Sequence, residues 1–157
     1  MKQRRPNNTT KLKALKAFDY EDKMLWATAN CLYKQLKGDK KYPEPVVNAL
    51  VESFAAHSRV LIEFLYPSKN VHSDTILARH FFLPNEKWLR LCPKESPLLK
   101  DTRELANNLL AHLTYTRSEG KLNKRWLFTK IAKELGVVLN IFNETDEIQA
   151  LRHISGG

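Results

Sequence analysis

Glycine, cysteine and long apolar runs are all scarce in this chain of 157 residues, and each scarcity excludes a class of function. Only five glycines occur, and the one adjacent pair stands at positions 156 and 157, so the chain contains neither a P-loop nor a Rossmann phosphate-binding turn. A nucleophile elbow of the GxSxG type is absent as well. We therefore expect a protein that carries no cofactor.

The two cysteines and the lack of a long apolar segment bear on location. Cys31 and Cys92 lie far apart without CxxC spacing, which predicts buried thiols rather than a redox pair. No window approaches the roughly 20 apolar residues of a membrane span, and the first twenty residues contain no apolar run typical of a secretory signal. The sequence therefore predicts a cytoplasmic protein with no membrane partner.

The spacing of the histidines predicts no metal site. They form no HxxxH, HExxH or HxH arrangement, and no Glu-x-x-His pair places two ligands on one helix face. The five histidines are His57, His72, His80, His112 and His153.

Positive charge is concentrated at the start of the chain. Residues 1–17 contribute +6 of the net +9, which leaves +3 for the remainder. We expect residues 1–18 to be a basic arm, either a solvated leader or a segment that adds salt-dependent affinity for nucleic acid. A single domain over 19–152 and a tail over 153–157 complete the predicted organisation.

Apolar residues recur at intervals of three and four over most of the chain. This spacing predicts longer helices near 20–37, 46–66, 97–119 and 123–143. Ser96 and Pro97 are typical of a helix start. Prolines break the segment between the second and third of these helices, so we expect a short helical insertion whose aromatic residues fold back onto the bundle: Phe81, Phe82 and Trp88, with Leu91. The predicted fold class is all-α, a helical bundle of four longer helices plus a short helical insertion.

The segment IAKELGV near the end of the last predicted long helix is similar to the first helix and turn of a helix-turn-helix unit. The apolar stripe, however, continues through Gly136 without a break. This continuity favours one uninterrupted helix in which Gly136 allows a close contact with a neighbour.

Two histidines on the most regular helices are candidate functional residues. His57 lies at the edge of the stripe of the second helix, near Arg59, and His112 lies in the stripe of the third, one turn after Asn108. A histidine whose pKa is near 6.5 suits general acid or base chemistry, and an arginine suits phosphate binding. Alternatively, both histidines are structural groups that are hydrogen-bonded within the core. A third hypothesis is a small-molecule pocket lined by Trp88, Tyr115 and Trp126.

Two helical segments carry a resemblance to a known superfamily. AAHSRVLIEFLY (55–66) and ANNLLAHLTYTR (106–117), separated by the proline-broken insertion and followed by WLFTKIAKEL, resemble the HEPN superfamily, particularly its abortive-infection-like branch. The resemblance covers roughly 46–143. It implies an α-helical bundle that commonly dimerises and whose active members are metal-independent RNases of toxin, antiphage and RNA-processing systems.

The superfamily signature is an arginine, usually followed by a polar residue, with a histidine five to seven places after the arginine. His112 matches the histidine and Asn108 the polar residue, but Asn107 stands where the arginine is expected. This departure removes a cation that would stabilise developing charge in phosphoryl transfer. The resemblance implies His112 as the acid/base group, with Asn107 and Asn108 as substrate contacts. Arg117, Arg59 and His57 lie outside the signature and are further candidate substrate contacts.

Two functions follow from these observations. One is an RNA-binding protein or divergent metal-independent RNase of a toxin-antitoxin or antiphage system, acting as a homodimer or with a cognate protein partner. The alternative is a non-catalytic helical-bundle interaction protein with structural histidines. The missing signature arginine favours a non-catalytic or divergent member of the superfamily.

Overall fold

The computed structural model describes residues 6–68, 72–110 and 126–155, and the regular structure within those ranges is helical. The predicted all-α class is confirmed. The described helices are α1 (Asn8–Lys37), α2 (Glu44–Leu65), α3 (Glu86–Leu91), α4 (Pro97–Leu110), α5 (Phe128–Asn143) and α6 (Asp146–Ser155), with a 3-10 turn at Ala78–Phe81. The four predicted longer helices correspond to α1, α2, α4 and α5.

Helix α1 begins much earlier than the apolar pattern predicted. The Asn7 side chain accepts a hydrogen bond from the backbone N–H of Thr10 at 2.9 Å and caps the first turn. Leu15 and Phe18 are buried in the core. The boundary predicted between residues 18 and 19 therefore falls inside this helix. The prediction missed the early start because lysines stand between the apolar residues of the first turns.

A short helix at the other end of the chain was not predicted. Helix α6 extends to Ser155, so the tail predicted over 153–157 begins inside it. Among the residues of this helix whose burial is described, Ile148 and Leu151 alone are buried, which gives a weak periodic signal in the sequence.

Helix α2 lies at the centre of the bundle, packed against α1 on one side and α4 on the other. Helix α5 contacts α1, α2 and α4. This arrangement leaves one side of α1 facing solvent, with α5 beside it. None of the described helices has both the length and the apolar character needed to cross a membrane.

The insertion between α2 and α4 folds back onto the bundle, as predicted. Phe81, Phe82 and Trp88 are buried and surround the ring of Phe142, with centroid distances between 5.4 and 6.1 Å. Leu91 is the exception, because it is exposed. Aromatic edge-to-face contacts of this kind add to the stability from apolar burial.

Two local predictions about helix geometry are also confirmed. The Ser96 hydroxyl accepts a hydrogen bond from the backbone N–H of Leu99 at 3.2 Å, and Pro97 occupies the first position of α4. Helix α5 runs through Gly136 without interruption. A Cβ on Gly136 would lie 2.8 Å from Cζ2 of Trp26, so the glycine leaves room for the indole of α1 against α5. The predicted continuation of α4 to 119 lies outside the described residues.

Candidate functional site

The sequence-predicted site residues fall into two groups. His112 and Arg117 lie outside the described residues, so the acid/base role of His112 stays a prediction. Asn107 and Asn108 lie on α4, and His57 lies on α2 with Arg59.

His57 forms an interhelical contact with α1. Its Nδ1 lies 2.6 Å from Oε2 of Glu21, and both side chains are largely buried. The ring of Tyr20 packs edge-on against the imidazole, with centroids 5.8 Å apart. A carboxylate partner and an aromatic neighbour are what a structural histidine requires, so this geometry favours the structural interpretation of His57.

Arg59 lies on the surface of the same helix. Its Nε is 3.3 Å from Oε1 of Glu63, four residues later. Exposed pairs of this kind contribute roughly 0.3–0.5 kcal/mol, so the guanidinium is available to a stronger anion at little cost. The Arg59 guanidinium can therefore contact a phosphate group.

The two asparagines of α4 differ in their surroundings. Asn108 is exposed, whereas Asn107 is half-buried and its Oδ1 has no hydrogen-bond partner among the described residues. A buried amide oxygen without a partner is costly, so this position suits an interaction with a donor. An asparagine lacks the positive charge that the superfamily signature places there.

Arg103, one turn before Asn107, is fully engaged in the fold. Its Nη2 donates to both carboxylate oxygens of Glu95, and its Nη1 donates to the carbonyl of Tyr66 at 2.9 Å. The two charged side chains are only 17% and 12% exposed. This arginine joins the end of α2 to the start of α4 and does not replace the missing signature cation.

Beside this ion pair lies a half-buried pair of weakly acidic groups. Burial raises the pKa of the Tyr66 phenol, with a further rise from Cys92, and burial also raises the pKa of the Cys92 thiol. Both groups are therefore protonated at neutral pH, which makes Cys92 a poor nucleophile. Cys31 and Cys92, predicted as buried thiols, are both free and only partly buried.

The predicted small-molecule pocket does not form around Trp88. This side chain is 1% exposed, and its indole N–H donates to the carbonyl of Leu65 at 3.3 Å. Trp126 stacks on Phe128 at a centroid distance of 6.2 Å, and Tyr115 lies outside the described residues. Trp88 belongs to the core and Trp126 packs against it, as the burial of large aromatic side chains favours.

A row of lysines along α1 is the main feature that the sequence prediction missed. Successive members are 3, 7, 11 and 3 residues apart, or about one, two, three and one turns, so they share one side of the helix. All are exposed, and the row is about 36 Å long. We call it the lysine face, and its members are Lys13, Lys16, Lys23, Lys34 and Lys37.

Asp19 lies on the same side of α1 as the lysine face, but its carboxylate is paired with an arginine of another helix. Asp19 accepts two hydrogen bonds from Arg152 of α6, at 2.6 and 2.8 Å, and Glu21 contacts His57. Burial raises the pKa of Asp22, and the neighbouring Asp19 raises it further. The lysine face consequently keeps a strongly positive potential. A spacing test on the lysines alone, rather than a count of charges, would have found it.

Two open grooves border α1. One, of about 530 Å³, lies between α1 and α5 and is lined by Trp26, Ala29, Asn30, Tyr33, Thr129, Ala132 and Lys133. The other, of about 410 Å³, lies between α1 and α2, and three carboxylates line it: Glu21, Glu63 and Asp74. The two sides of α1 therefore differ in charge.

Across the described parts of the chain, no three His, Cys, Asp or Glu side chains come together as a set of metal ligands. Comparisons of the chain with protein-family models, curated proteins and solved structures found no match in any of the three.

Proposed function

We propose that the protein binds RNA through the lysine face of α1, as a divergent helical bundle of the HEPN-like kind. The observation that carries the proposal is the row of five exposed lysines along about 36 Å of one helix. Lysines that neutralise phosphates release counterions, and this release supplies much of the affinity of a protein for nucleic acid.

The proposed contribution of His112 is acid/base chemistry in metal-independent RNA cleavage, in a toxin-antitoxin or antiphage setting. Asn107 supplies no cation, and Arg103 is held by Glu95. Arg59 and Arg117 are then the arginines proposed to contact phosphate. Binding and cleavage are separable in this proposal, because the lysine face lies on α1 and His112 follows α4.

The binding proposal is tested by the salt dependence of affinity for a single-stranded RNA oligonucleotide. We expect the triple variant Lys16→Gln, Lys23→Gln, Lys34→Gln to lower the slope of log K against log salt by about 2, at about 0.7 per lost phosphate contact. The matched control removes three exposed cations from α3, α4 and the segment that connects them. If both triple variants give the same slope of log K against log salt, the proposal is contradicted. The control is Arg90→Gln, Lys94→Gln, Lys100→Gln.

The cleavage proposal is tested by incubating mixed RNA with the wild type and with His112→Ala, in EDTA at low salt. Circular dichroism establishes that both proteins remain helical. Cleavage by the wild type that disappears in the folded variant supports His112 as the acid/base group. Cleavage by neither protein limits the function to binding.

The non-catalytic interaction protein is the second candidate function, and the contact between His57 and Glu21 favours it. On this alternative, His57→Ala lowers the free energy of unfolding of the bundle. Any loss of RNA affinity should then be explained by the smaller fraction of folded protein. Failure of the wild type to bind any RNA at low salt would favour this alternative over the first.

A further inference from the structure

We infer that the groove between α1 and α5 receives the unstacked bases of a single-stranded RNA whose phosphates lie on the lysine face. This inference rests on the proposed function and adds the class of RNA and the residues that contact its bases. It concerns the groove of about 530 Å³ described above.

Two aromatic rings are left accessible in this groove. Trp26 and Tyr33 are 43% and 42% exposed, whereas the aromatic side chains of the insertion that cluster around Phe142 are buried. They are seven residues apart on α1, which is two turns or about 10 Å along the axis. Aromatic side chains on which bases stack are the common feature of proteins that bind single strands.

The surroundings of the rings suit a base rather than an apolar ligand. Two small side chains, Ala29 and Ala132, line the groove beside the rings and leave each ring partly exposed. Asn30 and Thr129 place hydrogen-bonding groups at the edges of the groove, where base edges would lie. An apolar surface between polar rims is typical of a site that orients a flat, polar-edged group.

Charge complementarity identifies the ligand as a polyanion. Lys133 lines the groove on the α5 side, and Nζ of Lys37 lies 5.7 Å from the centroid of the Tyr33 ring. Lys37 therefore belongs to the lysine face and also lies over a ring that lines the groove. A strand whose backbone follows the lysine face would thus turn its bases toward Trp26 and Tyr33.

The position of Trp26 is set before any ligand arrives. Its ring packs on Gly136 of α5, where a Cβ would be only 2.8 Å away. A pre-positioned ring loses little conformational freedom on binding, which favours affinity. Duplex RNA keeps its bases stacked, so it would contact the lysine face alone.

The experiment compares two probes with equal numbers of phosphates: a single-stranded oligoribonucleotide and its abasic counterpart. Tyr33→Leu should weaken binding of the base-containing probe about tenfold and leave binding of the abasic probe unchanged. Tyr33→Phe keeps the ring and should bind both probes as the wild type does. In parallel, the base-containing probe should quench tryptophan fluorescence in the wild type and much less in Trp26→Phe, which retains Trp88 and Trp126.

The outcomes separate this inference from the proposed function. If the lysine triple variant weakens both probes while Tyr33→Leu weakens neither, the groove is not the base site and the proposed function stands. Equal weakening of both probes by Tyr33→Leu would also overturn the inference, because the ring would then act through the fold. If the wild type binds neither probe at low salt, both the proposed function and this inference fail.

Discussion

At the scale of single residues, the guanidinium group of Arg103 joins three parts of the chain. Its partners are the carboxylate of Glu95 and the carbonyl of Tyr66, and all three lie in a poorly solvated junction. Breaking a buried ion pair by removing one partner leaves the other charge without compensation. The position therefore acts on folding rather than on ligand binding.

We expect Arg103→Met to lower the free energy of unfolding by about 3 kcal/mol, because Glu95 would remain buried and unpaired. Arg103→Lys should recover only part of the loss, since an ammonium group cannot make the forked contact. Urea denaturation at neutral pH measures both effects. Arg90→Met, at an exposed position of α3, is the control and should change stability by less than about 0.5 kcal/mol.

His80 provides a prediction on pH. Burial lowers the pKa of this imidazole below its usual 6.5, and the charges of Arg79 and Lys11 lower it further. Its Nδ1 accepts a hydrogen bond from the backbone N–H of Leu77 at 3.2 Å, which requires the neutral ring. The unfolded chain binds more protons than the native state below 6.5, so this contribution to stability is present above 6.5 and is lost as the pH falls.

Denaturation midpoints at pH 7.5 and 5.5 test this expectation in the wild type and in His80→Gln. The wild type should lose more stability than the variant between the two pH values, because the variant lacks the titrating ring. An equal loss in both proteins would assign the pH dependence to other groups.

The seam between α1 and α5 is the informative contact at the element scale. Gly136 brings the two helices together by leaving space for the indole of Trp26. Alanine would favour the helix by roughly 1 kcal/mol, but overpacking a close contact costs roughly 1–3 kcal/mol.

We expect Gly136→Ala to be destabilising by about 1 kcal/mol, because the cost of overpacking exceeds the gain in helix propensity. The displaced indole should also shift its fluorescence emission to longer wavelength. Val137→Ala, at the adjacent exposed position, is the control and should leave the emission unchanged. A more stable Gly136→Ala with unchanged emission would show that the seam relaxes around the added methyl group.

The ends of the elements were harder to predict than their existence. Ser96 and Pro97 correctly predicted the start of α4, because a capping hydroxyl and a proline act on neighbouring residues. The start of α1 was placed too late because its lysines resembled a solvated arm, although Leu15 and Phe18 continue the core stripe. Charge alone does not end a helix whose other side can be buried.

The distribution of charge is the main property at the scale of the whole molecule. Five exposed lysines lie along one side of a long helix, while carboxylates line the groove on the α1/α2 side. A surface polarised in this way attracts a polyanion to one side and orients it.

The predicted homodimer is the expectation that belongs to this scale. It comes from the HEPN resemblance, in which pairing is common. Solution scattering at working concentration should give twice the mass of one chain. A monomeric mass would contradict the prediction and leave the RNA-binding proposal, which requires only the face of one copy.

The sequence by itself determined the all-α class, the four longer helices, the return of the insertion to the core and the unbroken helix through Gly136. Helical periodicity and capping depend on residues that are close in the sequence, so both can be recognised without knowing which helices pack together. Only the tertiary structure decided how the polar residues are used. Arg103, His57 and Asp19 each pair with a residue from another part of the chain, whereas the five lysines of the lysine face stay exposed. Such pairings depend on which helices become neighbours, and spacing along one chain does not contain that information.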